Sequence, residues 1–220
     1  MKTLNYGNFY LSSQLTKNGM LILGSNSGKI MIYDQNNEMA QSITSSTRPI
    51  GAVSASDDSS LLAGGGYAEE VKIYQNNAGT FTFQQTLVIG FSPWDIKIDR
   101  QTLIISGQSA DLLIYTHSGT GYTPSQNISF STTGIPEFIA SADLEKLTFG
   151  AGSEVVEYSK VNGSYLETDR MEAGVLVSAI KGDSAMDYVI LLGGNRDIYV
   201  FYQCSSFCVD CSFPNNCSAC

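Results

Sequence analysis

One pattern recurs five times along this 220-residue chain: an apolar strand, a turn containing glycine, and a second apolar strand that closes on an aromatic residue. The segments are LILGSNSGKIMIY, LLAGGGYAEEVKIY, LIISGQSADLLIY, LTFGAGSEVVEY and VILLGGNRDIYVF. Their lead glycines, Gly24, Gly64, Gly107, Gly150 and Gly193, are 40, 43, 43 and 43 residues apart. The closing aromatics Tyr33, Tyr74, Tyr115, Tyr158 and Phe201 are 41, 41, 43 and 43 apart, so two independent landmarks keep one period. A period in this range belongs to arrays in which each repeat is one supersecondary unit that buries its apolar faces only against its neighbours.

About ten residues before each lead glycine lies a further strand-like piece: FYLSSQLT, GAVSASD, WDIKID, EFIASAD and VLVSAIKG. The polar turns that follow hold Asn18, Asp57 with Asp58, Asp99, Asp143 and Asp183. Asn and Asp suit such turns because their side chains bond to backbone amides two residues on. More polar stretches such as TFTFQQTLVI and YTPSQNISFS read as the outer strand of each unit. Each unit is then four short antiparallel strands in the order inner, second, third, outer. The high Gly, Tyr and Phe content, 21, 12 and 10 residues, supports the same all-β class.

A four-stranded unit of about 43 residues resembles a blade of the β-propeller superfamily, in particular WD-repeat and quinoprotein-dehydrogenase-like propellers. The resemblance covers residues 1 to about 202 and is degenerate. The Trp-Asp dipeptide survives only as Tyr33-Asp34, and the Gly-His signature is absent because His117 is the only histidine. The fold it implies is a propeller-like array of five four-stranded blades, the rival being a sandwich of evenly spaced strands. The outer strand of the fifth unit is missing after Phe201. Either the N-terminal TLNYGNF supplies it and closes a five-bladed ring, or the five blades belong to a longer propeller.

All five cysteines fall in CSSFCVDCSFPNNCSAC, which places a boundary between residues 1–203 and a cysteine-rich segment, 204–220. Cys208/Cys211 and Cys217/Cys220 are CxxC pairs, a zinc-like arrangement whose five-residue spacer is short for a tetrathiolate site. The segment looks like the opening of a growth-factor-receptor-like or furin-like cysteine-rich repeat, which implies disulfides among Cys204, Cys208, Cys211, Cys217 and Cys220 and no metal. Sequons at Asn127, Asn162 and Asn216 are candidate glycosylation sites. With the cysteines they point to an extracellular or luminal chain, the cytoplasm being the alternative. MKTLNYGNFY lacks the apolar core of a signal peptide, so a secreted chain would begin inside a longer precursor.

With 12 basic and 21 acidic residues the net charge is −9, which excludes a binder that tracks nucleic-acid backbones. No apolar run is long enough for a transmembrane segment. No cofactor or phosphate-binding motif occurs, and His117 has no acid near it in sequence, so no catalytic residue is assigned.

Four acids recur four positions before the closing aromatics: Glu70, Asp111, Glu154 and Asp197, with Lys29 in the first repeat. They stand at the turn into the third strand, as a negative ring for a cation or basic partner or as ordinary solvated turn residues. The segments entering the inner strands open on the same face, bringing Arg48 and Glu137 beside Trp94, which is either an interface anchor or packed between blades. The expected function is a non-enzymatic protein- or glycan-binding scaffold of a secreted or surface protein. The alternatives are a carboxylate-dependent glycosidase or lyase and a cytosolic interaction module with a zinc-binding tail. As a separate module with few large apolar side chains, the tail adds little to the propeller. Deleting everything after Gln203 is expected to lower the melting temperature by only a few degrees, about 1 kcal/mol, in a differential scanning measurement.

Overall fold

A computed structural model describes residues 10–109, 111–130, 137–174, 176–182, 188–193, 198–202, 211–212 and 216–217. Every regular element among them is a strand. Sheet one runs β1 (Tyr10–Leu15), β2 (Leu21–Ser25), β3 (Lys29–Tyr33) and β4 (Met39–Thr44). Sheet two runs β5 (Ile50–Ala55), β6 (Leu61–Gly66), β7 (Glu70–Asn77) and β8 (Thr80–Val88), and sheet three β9 (Pro93–Ile98), β10 (Thr102–Gly107), β11 (Asp111–His117) and β12 (Tyr122–Ser129). Sheet four holds β13 (Phe138–Ala140), β14 (Lys146–Ala151), β15 (Glu154–Val161) and β16 (Ser164–Glu172). The fifth sheet has three strands, β17 (Val177–Gly182), β18 (Tyr188–Gly193) and β19 (Ile198–Tyr202).

Within every sheet the strands lie in chain order and pair antiparallel. The all-β array of antiparallel blades is thus as read from the period, its fifth member lacking an outer strand among the described residues. The segment 3–9, the candidate for that strand, lies outside them. In the tail, β20 (Cys211–Ser212) and β21 (Asn216–Cys217) form a two-stranded ladder that sets the backbone of Cys211 opposite that of Cys217. Cys204, Cys208 and Cys220 lie outside the described residues.

The core lies between sheets. Strand alternation sends Leu103 and Ile105 of β10 into a cluster with Ala63, Val71 and Ile73 of sheet two. Ile104, between them, joins Leu147, Phe149 and Val156 of sheet four. Both faces of a central strand are covered, which is why β6 and β10 are buried at every position. The closing aromatics Tyr33, Tyr74, Tyr115 and Tyr158 are all buried.

The inner-to-second turns form as their sequence predicts. Asp58 Oδ1 accepts the Ser60 amide at 3.0 Å, Asp99 Oδ1 the Gln101 amide at 2.7 Å, and Asp143 Oδ1 the Glu145 amide at 3.1 Å. The hydrogen bond from the Ser56 hydroxyl, with those from Ser60, holds Asp58 well below the usual carboxylate range. The lead glycines differ from expectation: they do not make the turns but lie within the last three residues of β2, β6, β10, β14 and β18. The reason is room rather than torsion. A Cβ on Gly24 would lie 2.6 Å from Ser12 Oγ and 2.9 Å from the Ile50 carbonyl oxygen of the next sheet, and one on Gly150 would lie 2.8 Å from Val177 Cβ.

A second link joins the rims. Gln41 in β4 donates through Nε2 to the Phe81 carbonyl and accepts the Phe81 amide on Oε1, both at 2.8 Å. Gln85 in β8 makes the same pair with Tyr122, and Gln126 in β12 with Tyr165, every distance 2.8 Å. Each carboxamide imitates a peptide group and pairs with the first turn-proximal backbone of the next outer strand.

Gly107→Ala is expected to cost about 1–3 kcal/mol in urea unfolding, because the new methyl meets Phe91 Cδ2 at 2.9 Å and, closer still, the Ser92 backbone oxygen. Gly64→Ala should cost less, since its nearest obstacle is the terminal methyl of Ile30, which can rotate away.

Candidate binding face

Because successive strands alternate direction, the second-to-third turns and the outer-to-inner connections emerge on one edge of every sheet. They are stitched together by backbone bonds. The Gly28 carbonyl accepts the amides of Ser45 and Ser46 at 3.0 Å, and the Glu69 carbonyl accepts those of Ile89 and Gly90 at 3.0 and 3.3 Å. Tyr67 N–H donates to the Pro49 carbonyl at 3.1 Å, Gln108 N–H to Ser92 at 3.1 Å, and Val177 N–H to Gly152 at 2.8 Å. Among the described residues these bonds tie the second-to-third turns to the connections beside them.

The acids at the turns lie where the period puts them: Glu70, Asp111 and Glu154 open β7, β11 and β15, as Lys29 opens β3. Asp197 lies outside the described residues. Each of the three is engaged inside its own sheet. Glu70 pairs with Lys72 at 3.3 Å, and Glu154 pairs with Arg170, which also holds Glu167 at 2.8 Å. Asp111 accepts hydroxyl protons from Ser109 at 3.1 Å and Ser129 at 2.6 Å. Glu137, just before β13, pairs with Lys181 of β17 at 3.1 Å through Oε1, while its Oε2 is enclosed without a hydrogen-bond partner.

Arg48 is exposed in the connection into β5 and donates to the Tyr67 carbonyl at 3.1 Å. Trp94, second residue of β9, is 45% exposed, so its ring is not fully enclosed between blades. Next to it, Pro93 is buried against Gly65, so the connection that carries Trp94 is anchored on sheet two. The sequence did not single out Tyr67, 55% exposed on the β6–β7 turn, because one aromatic in a polar turn carries no pattern.

Two clefts flank this turn. One, of about 690 Å³, is lined by Ser46, Arg48, Glu69, Glu70 and Lys72. The other, of about 430 Å³, has Ile89, Phe91 and Leu113 as its apolar lining and Glu69, Gln108 and Asp111 as its polar one. Glu69 borders both and holds a left-handed backbone, φ 59°. A side chain other than Gly, Asn or Asp held there is uncommon and strained.

His117 ends β11, accepts the Gly119 amide on Nδ1 at 3.2 Å and meets Tyr122 edge-on at 5.1 Å, a turn-stabilising role. Among the described residues no group of three or more His, Cys, Asp or Glu is placed to hold a metal ion, and no helix is long and apolar enough to cross a membrane. Asn127 and Asn162 are exposed, the latter in the turn between β15 and β16. Asn216 is placed only by its backbone, in β21.

No family model matches the sequence, and no curated protein matches it. Solved structures do match: 1402 chains share the fold, too many for the likeness to specify one activity. One is a chain from a structure described as "Crystal Structure of Mitotic Checkpoint Complex", with a TM-score of 0.74 at 14% identity. The match covers 91% of the present chain and 65% of that chain, so the present chain spans just under two thirds of its length. At this identity the likeness establishes the propeller-type fold.

Trp94 provides a direct check on this face. Its fluorescence is expected to peak in the range of a partly hydrated indole and to be quenched readily by iodide. A blue-shifted, quench-resistant emission would put the ring between sheets instead.

Proposed function

We propose that the chain is a non-enzymatic, WD-repeat-like propeller module that binds a protein partner through the face carried by sheets two and three. The observation that carries this reading is that Arg48, Tyr67 and Trp94 are exposed on one backbone-stitched edge beside two clefts. Arg, Tyr and Trp are the residue types that dominate interface hot spots. The smaller cleft favours a basic side chain from the partner: Ile89, Phe91 and Leu113 suit its methylene stem, and Glu69 and Asp111 suit its cationic head. The hydroxyl donors on Asp111 add no positive charge, so its attraction for a cation is kept.

The secretory setting is part of the same proposal. Exposed asparagines in two sequons, Asn127 and Asn162, and the cysteine-dense residues 204–220 as a disulfide-linked module support an extracellular or luminal location.

The test is selection of peptides from a random displayed library on the immobilised chain, with a glycan array run in parallel. Enriched peptides should carry Lys or Arg, and their affinity should fall about tenfold or more in Trp94→Ala and in Asp111→Asn, the loss expected at a hot spot. Peptides whose binding ignores both substitutions would overturn the assignment of the face. Selective glycan binding with no peptide enrichment would overturn the assignment of the partner.

A further inference from the structure

The carboxamides of Gln41, Gln85 and Gln126 form a repeating device, and the fourth repeat breaks it. In each clamped pair of outer strands the acceptor backbone stands four residues before the next glutamine: Phe81 before Gln85, and Tyr122 before Gln126. Tyr165 is the third acceptor, and four residues on stands Asp169. The flanking residues agree with this register, since Gln41-Ser42-Ile43, Gln85-Thr86-Leu87 and Gln126-Asn127-Ile128 align with Asp169-Arg170-Met171.

The substitution removes half the chemistry. A glutamine side chain offers one donor and one acceptor in the geometry of a peptide group, so it can satisfy the N–H and C=O of a single residue together. An aspartate has acceptors only and a shorter reach, and a backbone carbonyl repels it. In this structure Asp169 is exposed, and its Oδ1 is taken up locally by the Arg170 amide at 2.8 Å. Across the fourth junction the described contacts run through the inner strand instead. Val177 and Ile180 pack on Ile139 and Val155, Val177 N–H reaches the Gly152 carbonyl, and Lys181 reaches Glu137.

We infer that the glutamine clamps are what couple neighbouring blades at the rim, and that the coupling ends at sheet four, where Asp169 stands in the glutamine's place and the next sheet has no outer strand among the described residues to accept a clamp. The first four blades open as one cooperative unit. The fifth sheet is a leaf attached along β17 that opens at lower free energy while the rest of the array stays folded.

Hydrogen exchange of the full chain, read peptide by peptide under native conditions, tests this. Amides of β17–β19 should exchange faster than those of β5–β15 by about tenfold or more, the scale of roughly one net hydrogen bond. Gln126→Glu keeps the size and the acceptor but loses the donor. It should move the boundary one junction back, so that β13–β16 join the fast-exchanging set. Gln85→Glu should move it two junctions back. Gln84→Glu, in the adjacent position whose side chain bonds to Gln75 of its own sheet, should leave the pattern unchanged. Equal protection of β17–β19 and β5–β15 in the unsubstituted chain would overturn the inference. So would a response of Gln126→Glu that matches Gln84→Glu, or one spread evenly over all sheets.

Discussion

At Gly24, Gly64 and Gly150 neighbouring sheets approach so closely that an added Cβ would press on atoms of the adjacent sheet, and the rest of the architecture depends on that contact. A four-stranded sheet of strands three to nine residues long cannot enclose a core of its own. Every large buried cluster therefore takes its members from two successive sheets, as when Ile22, Ile30 and Ile32 pack with Ile50, Leu62 and Tyr74. Side chains of ordinary size at positions 24, 64 or 150 would hold the sheets apart, and the apolar residues beyond them would lose their partners. Stability in such an array is close to a sum of nearest-neighbour interfaces. The glutamine clamps add a polar version of the same dependence at the outer edge, where apolar contact has given way to solvent.

Much of this was legible because it follows from period and composition. The five-fold spacing put the strands where they are, and the Asx turns at Asp58, Asp99 and Asp143 form the predicted side-chain bonds. The lead glycines were found but misread as turn formers, since glycine is common in turns and nothing in one chain separates torsional need from lack of space. Gln41, Gln85 and Gln126 passed unnoticed for a related reason. Glutamine in a polar outer strand looks like any solvated side chain, and only its recurrence, 44 and then 41 residues apart, marked it. The exposure of Trp94 was undetermined in sequence because β9 has one face toward the core and an aromatic suits either side.

The acids that open the third strands show how position and environment part company. Their placement obeys the repeat, yet each meets a different partner: Lys72 two residues on for Glu70, the serine directly across the ladder for Asp111, and Arg170 of the outer strand for Glu154. The repeat specifies a polar residue at that point and leaves its counter-charge to local sequence. Among the described residues the three acids therefore sit in different local chemistry from blade to blade. That variation is what lets one edge, around sheets two and three, differ from the others.

The clamp's acceptor is backbone, and this has an evolutionary consequence. Phe81, Tyr122 and Tyr165 receive a glutamine without their side chains taking part, so any blade that carries the glutamine can precede any other blade. A duplication or loss of one whole period rejoins donor to acceptor with no compensating substitution. Breakpoints that fall inside a period sever a clamp. The interchangeable module of this chain is thus set by where its hydrogen-bond donors sit, and copy number can drift by whole units while the junctions between them stay the same.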